Sequence, residues 1–291
     1  MPSVQGFGLS LPMIKIDGGL STALEELGAD LKSVLWTGEL IDKNPEQIIA
    51  AHRSYVDAGA KIIISSSYQV SFIGEAKSGI NDQTVSRLLV KSTELAKQAS
   101  ILSDAKVAAS IGPYGATLGD GSEYRGNYQI SDEQIREFHS RRIEILAETK
   151  PDLFAVETIP SMREARIIEE LIINTKIPYW ISFSCKDELH ISEGDTFEDA
   201  IGALEKSPNR LAVGVNCTDP RFISPLLRSV RSQKPFVIYP NAGRVWDAES
   251  KIWIGDPLGF NQYISDWIEL GAEFIGGCCG VGPKEISTLA S

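Results

Sequence analysis

The sequence predicts an α/β protein, a single (β/α)8 TIM barrel, on three observations. Short apolar and β-branched runs recur eight times along the 291 residues, a stretch with helix-start chemistry follows each run, and no Pro/Gly/Ser-rich linker interrupts the alternation. Eight parallel strand-helix units close most naturally into a barrel; the competitor is a doubly wound open sheet, and the count of eight favours closure. The whole of 1–291 reads as one domain.

The strand runs are MIKID at 13–17, KIIISSSY at 61–68, KVAASIG at 106–112 and DLFAVET at 152–158, followed by PYWISFSC, RLAVGVNC, PFVIYP and EFIGGCC. The first helices are expected from Pro45 to Gly59, with Asn44 as cap, and from Asp82 to Leu102. Ser131 with Gln134 and Ser161 with Glu164 form capping boxes, in which the hydroxyl and the longer side chain each satisfy a free N–H. Later helices are expected at about Thr196 to Lys206, Pro220 to Ser232, Phe260 to Leu270 and from Pro283 onward. Wide loops near 32–44, 69–81 and 113–130 follow the first three strands, and loops after barrel strands build the active-site face.

Composition narrows the function. A net charge of −11, with 28 basic against 39 acidic residues, argues against nucleic-acid binding, which needs clustered Lys and Arg. No apolar run approaches the ~20 residues of a membrane helix and no secretory leader is visible, so a cytoplasmic protein with small-molecule partners is expected. Oligomeric state has no signature. Four cysteines are too few for a secreted disulfide scaffold, leaving metal binding or reduced core thiols.

Cys217 ends the sixth strand and Cys278 and Cys279 end the eighth, so all three converge on the C-terminal rim. Any one of them alone reads as a small core hydrophobe; three at neighbouring strand ends read as metal ligands. Three thiolates with one vacant position describe a reactive zinc site, since a structural one has four ligands. Their net charge with Zn²⁺ of about −1 suits holding a further thiolate more than activating water. Cys185 is expected to be structural, and His52, His139 and His190 lack ligand spacing.

Asp17, Gly18 and Gly19 sit between the first strand and a helix, where free N–H groups favour a carboxylate and an amino acid could anchor. Glu157, a carboxylate amid apolar neighbours, calls for a cationic partner, either an α-ammonium or a loop arginine. Asn216 and Asn241 at strand ends could donate to thiolate sulfur or substrate, or simply make turns.

Taken together, GGCCG at 276–280, GVNC at 214–217, IDGGLSTALEELG at 16–28, GPYGATLGDGSEYRGNY at 112–128, FAVETIP at 154–160 and YPNAG at 239–243 resemble the homocysteine S-methyltransferases over nearly the whole chain. The resemblance is to the short forms that take methyl from S-methylmethionine or S-adenosylmethionine. It implies a zinc-dependent enzyme that methylates homocysteine to methionine, with Zn²⁺ on Cys217, Cys278 and Cys279. It also implies that Glu157 takes the ammonium, and that the Asp17–Gly19 backbone positions the carboxylate and amine. Trp36, Tyr68 and Gln69 fall where the family places donor-side residues, and an aromatic face suits a sulfonium cation. Arg244 departs from the family, which commonly has a glutamate there, and the chain stops soon after its last strand. The alternatives are a betaine-dependent homocysteine methyltransferase, or a non-catalytic zinc or thiol redox sensor.

Overall fold

In the computed structural model, residues 13–29, 31, 37–76, 79–204, 207–243, 245–247 and 252–289 are described. The strands in chain order are β1 (Ile14–Lys15), β2 (Ile62–Ile64), β3 (Lys106–Ile111), β4 (Leu153–Ile159), β5 (Tyr179–Phe183), β6 (Arg210–Asn216), β7 (Phe236–Tyr239), β8 (Val245–Asp247), β9 (Ile252–Ile254) and β10 (Ala272–Ile275). Eight of them form one parallel sheet in the order β1-β10-β7-β6-β5-β4-β3-β2. A parallel bridge between Ile16 and Ile62 joins its two edges, with the Asp17 N–H donating to the Ile62 carbonyl at 3.0 Å. The predicted barrel is therefore present. Strands β8 and β9 are additional: they pair antiparallel as a hairpin after β7, which the strand-helix period did not foretell.

The helices are α1 (Leu20–Glu26), α2 (Thr37–Lys43), α3 (Pro45–Asp57), α4 (Phe72–Ala76), α5 (Asp82–Ser100), α6 (Asp132–Glu148), α7 (Met162–Ile172), α8 (Phe197–Gly202), α9 (Pro220–Ser229), α10 (Ile264–Glu269) and α11 (Pro283–Thr288). Several end earlier than the sequence suggests. Helix α5 stops at Ser100 because Ile101 leaves the helical region, with ψ 110°, and Leu102 turns to φ +96°, with Ser103 donating back to the Ser100 carbonyl. Helix α9 stops at Ser229, where Val230 becomes extended, and α8 closes at Gly202. A 3-10 turn over Asn261–Tyr263 precedes α10.

The caps follow the expected chemistry with two exceptions. Ser131 and Gln134 make the full capping box of α6. Ser161 accepts from the Glu164 N–H, but the Glu164 carboxylate turns to His139 and the Tyr114 N–H, so that box is half made. Asn44 occupies the N-cap position of α3 as expected, but its side chain makes no capping bond to the backbone and its amide donates to Gln47 at 3.4 Å.

Alternate strand residues segregate into two cores. Ile16, Ile62, Ala108, Leu153, Ala155, Trp180, Ala212, Val237, Tyr239 and Phe274 fill the barrel interior. Residues of the opposite parity, such as Val107, Phe154, Ile181, Val213 and Ile238, pack against the helices. Each aliphatic side chain so buried contributes about 1.5–3 kcal/mol, which fixes the register and with it the face each strand-end residue presents. Among the described residues no helix is long and apolar enough to cross a membrane.

Candidate active site

The strand period aims most of the site. On β4, Leu153 and Ala155 face the interior, so Glu157, two further on, reaches the barrel mouth. On β6, Ala212 is interior and Asn216 shares its parity, which would send Cys217 outward. Instead Cys217 has φ +47°, a left-handed conformation that costs a non-glycine residue on the order of 1 kcal/mol or more and turns the side chain back over the mouth. Its N–H donates to the Tyr239 carbonyl at 3.1 Å, and the Asn241 amide donates to its carbonyl at 3.3 Å.

There Cys217 meets the two cysteines that follow β10. The three sulfur atoms lie within 4.8 Å of one another. Cys217 and Cys278 are joined as a disulfide, and Cys279 is free, its Sγ 3.5 Å from Cys217 and 4.0 Å from Cys278. Thiolates at about 2.3 Å from a tetrahedral zinc stand about 3.8 Å apart, so two edges of this triangle already have ligand spacing. The third edge requires the Cys217–Cys278 bond to be reduced, because only thiolates ligate. With that condition the donor set fits a metal. Burial, aided by the nearby Glu123 charge, pushes the Cys279 thiol up to about 12.

The backbone binds this cluster to the start of the barrel. Gly277 donates to the Asp17 carbonyl at 2.9 Å, Cys278 to the Pro240 carbonyl at 2.7 Å, and Gly280 to Thr22 Oγ1 at 3.0 Å. A Cβ on Gly19 would stand 2.7 Å from the Cys278 carbonyl oxygen, so glycine there lets the two segments touch. The Gly19 N–H is engaged with the Val281 carbonyl at 3.0 Å, and Tyr55 donates to the Gly19 and Val281 carbonyls. That N–H is therefore not free for a substrate carboxylate, as the sequence had suggested.

The Asp17 side chain is the open group. Its Oδ2 accepts from the Ile64 N–H at 2.7 Å, whereas Oδ1 is buried with no hydrogen-bond partner. Burial, and then the nearby Glu157 charge, holds its carboxyl well above the usual range. Glu157 Oε1 accepts from Ser110 Oγ at 2.5 Å. Burial raises the Glu157 carboxyl to about 7, and hydrogen bonds from Ser110 and Tyr239 pull it partly back. No arginine pairs with Glu157 among the ion pairs of the described residues. Two neighbouring buried carboxylates, one with an unpartnered oxygen, form a receptor for a cation.

Asn216 does not reach the thiols. Its Oδ1 accepts from the Thr158 N–H at 2.7 Å and from Ser182 Oγ at 2.9 Å, and its Nδ2 donates to Thr158 Oγ1 at 2.8 Å. Asn241 likewise serves the backbone, accepting from the Gly243 N–H as well as donating to Cys217. Gln69 donates to the Ala116 carbonyl at 3.2 Å. Tyr68 is half-buried, and Gly112 lets its ring in, since a Cβ there would lie 2.6 Å from the ring. The buried Arg142 of α6 holds this loop through the Tyr68, Val70 and Gly112 carbonyls. Trp36 and Arg244 lie outside the described residues.

The segment after β3 covers the mouth, with 3-10 turns at Tyr114–Thr117 and Ser122–Tyr124. Tyr124 donates to Cys217 Sγ at 3.5 Å, the Glu123 carbonyl accepts from Ser184 Oγ at 3.0 Å, and the Asn127 N–H donates to Glu193 at 2.6 Å. Ser110, Tyr124, Glu123 and Tyr239 were not singled out from the sequence. The only signal for Glu123 and Tyr124 is their place in the GSEY stretch of a motif read as a whole.

The sequence profile of the homocysteine S-methyltransferases matches residues 14–291. The chain belongs to the homocysteine S-methyltransferase family. It is 40% identical to homocysteine S-methyltransferase 1 of Brassica oleracea var. italica, over 94% of this chain and 91% of that one. The homocysteine methyltransferase MmuM from Escherichia coli superposes with a TM-score of 0.86 in its metallated form, at 34% identity and 95% of each chain. Its oxidized form superposes at 0.85, with 34% identity over 94% of each chain. This homocysteine S-methyltransferase is thus an enzyme of small-molecule substrates, and its cysteine cluster is a group that could hold a metal.

Proposed function

We propose that this enzyme transfers a methyl group from a sulfonium donor, S-methylmethionine or S-adenosylmethionine, to the thiol of L-homocysteine, with zinc held by Cys217, Cys278 and Cys279. The observation that carries the reading is the meeting of three cysteine sulfurs within 4.8 Å beside the buried Asp17 and Glu157 carboxylates. Zinc, when bound, would supply deprotonation of a thiol that is otherwise only a few per cent thiolate at pH 7, and would leave it nucleophilic.

The chain's own residues do the rest. Asp17 Oδ1 and Glu157 take the homocysteine ammonium, which replaces the hydrogen bond that Asp17 lacks and offsets the burial of both charges. Ser110 and Tyr239 fix the Glu157 carboxylate, and Asn216 fixes the turn beside it. Tyr124 donates to the Cys217 sulfur, steadying negative charge there. The homocysteine sulfur lone pair forms the new bond to the methyl carbon, the donor's S–CH₃ bond breaks, and its electrons return to the donor sulfur, which leaves as a neutral thioether. Positive and negative charge cancel along that path, so the segment over 113–130, by excluding water, favours reaction. Tyr68, and Trp36 in sequence terms, supply aromatic faces for the sulfonium.

One observation favours a second reading, the redox sensor: Cys217 and Cys278 are joined as a disulfide. A sensor needs no paired carboxylates, so the transferase reading accounts for more of the site. A reducing cytoplasm would keep all three thiols available. The test is transfer of labelled methyl to homocysteine from each sulfonium in turn, using reduced protein that is zinc-replete or chelated. Zinc-dependent transfer from either supports the reading; transfer from betaine alone replaces the donor, and transfer from none favours the sensor.

A further inference from the structure

Glu123 is a carboxylate that the mechanism above does not use. It lies in the 3-10 turn Ser122–Tyr124 over the barrel mouth, and its Oε2 is buried without a hydrogen-bond partner. The nearest cation in sequence, Arg125, is turned to other partners: its guanidinium donates to the Asp120 carbonyl at 2.9 Å and to Ser122 Oγ at 3.4 Å, and faces the Asp120 carboxylate at 3.6 Å. The turn is pinned in place, since Ser184 donates to the Glu123 carbonyl and the Asn127 N–H donates to Glu193. Glu123 is therefore aimed by a fixed backbone. Glu123 directly precedes Tyr124, whose hydroxyl donates to Cys217 Sγ at 3.5 Å, so the turn that carries this carboxylate is the one that touches the thiol cluster.

A buried carboxylate oxygen with no partner is costly to a fold unless a ligand satisfies it. The ligand that satisfies a carboxylate oxygen best is one that carries positive charge. The reaction brings such a charge with the methyl donor.

We propose that Glu123 is the donor-recognition carboxylate of this enzyme, placed to face the positive charge of a sulfonium amino acid or nucleoside and to discriminate it from the neutral thioether left after transfer. The inference rests on the sulfonium-donor reading. It also gives the product a reason to leave, because the attraction to Glu123 disappears with the methyl group.

The test is calorimetric binding of S-methylmethionine and of methionine, its neutral thioether counterpart, to zinc-replete wild type and to Glu123→Gln, alongside steady-state kinetics. Wild type should bind the sulfonium more tightly than the thioether by about tenfold or more, the scale of one charge-assisted contact. Glu123→Gln should remove most of that preference and raise the donor KM, with the homocysteine KM and zinc content unchanged; Glu123→Asp should fall between. Equal binding of the two ligands by wild type overturns the proposal whether or not the variants fold. So does an unchanged preference in Glu123→Gln. Wild type that transfers methyl from no sulfonium overturns the donor reading itself, which is a different result from transfer that ignores Glu123.

Discussion

Asn216 holds Thr158 from both sides, its Oδ1 accepting from the Thr158 N–H at 2.7 Å and its Nδ2 donating to Thr158 Oγ1 at 2.8 Å. Thr158 has φ +58° and directly follows Glu157, while Asn216 directly precedes Cys217 at φ +47°. One buried amide therefore links the two left-handed residues that aim the carboxylate and the thiol, although Thr158 lies on β4 and Cys217 just after β6.

Replacing Asn216 by Ala should destabilise the fold by about 2–4 kcal/mol, because two buried groups of Thr158 lose their partners and nothing offsets the left-handed turn. Urea unfolding measures this. The same variant should raise the homocysteine KM, since Glu157 is no longer fixed; unchanged stability and KM would show that Asn216 carries neither load.

Burial sets a pH dependence through Glu157. Its folded carboxyl is raised to about 7 from 4.5. Between those values the folded state keeps a proton that the unfolded chain has lost, so the stability of the ligand-free protein falls as pH rises through this window and levels off above about 7. A gap of that size corresponds to on the order of 3 kcal/mol. Glu157→Gln should flatten the slope of unfolding free energy against pH between about 5 and 7. An identical slope in the variant would show that another group carries it.

Oxidation and metal uptake should exclude one another. Protein with Cys217 and Cys278 joined should bind almost no zinc, and reduction should restore one equivalent per chain together with two additional titratable thiols. A chelator-dye competition follows the metal and a thiol reagent the sulfurs. Zinc bound at full stoichiometry to oxidised protein would remove two of the three proposed ligands.

Tyr124→Phe removes only the hydroxyl that donates to Cys217 Sγ at 3.5 Å. Loss of such an outer hydrogen bond should weaken zinc about tenfold, with little effect on unfolding. Equal zinc affinity in the variant would show that the contact does not act on the metal.

How much of this was legible in the sequence follows from which residues sit on a periodic element. The strand-helix period fixed the barrel, the strand ends, and so the approach of Cys217 to Cys278 and Cys279. It also made Glu157 stand out, because a carboxylate at an interior position of an apolar strand needs a partner. What the period could not show was which way a chain turns after it leaves the strand. By parity Cys217 should point outward, and its left-handed backbone is visible only in three dimensions. Asn216 and Asn241 were placed at the site for the same reason, yet the Asn216 amide serves Thr158 and Ser182 and the Asn241 amide serves backbone groups. Glu123 and Tyr124 belong to a segment with no regular strand or long helix to orient it, so their place above the thiols depends on long-range contacts to Ser184 and Cys217. The β8–β9 hairpin escaped notice because its strands have three residues each, too short for an alternating pattern.

The central claim, that Cys217, Cys278 and Cys279 together hold the metal that meets homocysteine, is tested most directly by zinc X-ray absorption on reduced protein. Three sulfur ligands at about 2.3 Å, rising to four when homocysteine is added, are the predicted result. Fewer than three sulfurs in the free protein, or no added sulfur with homocysteine, would contradict it.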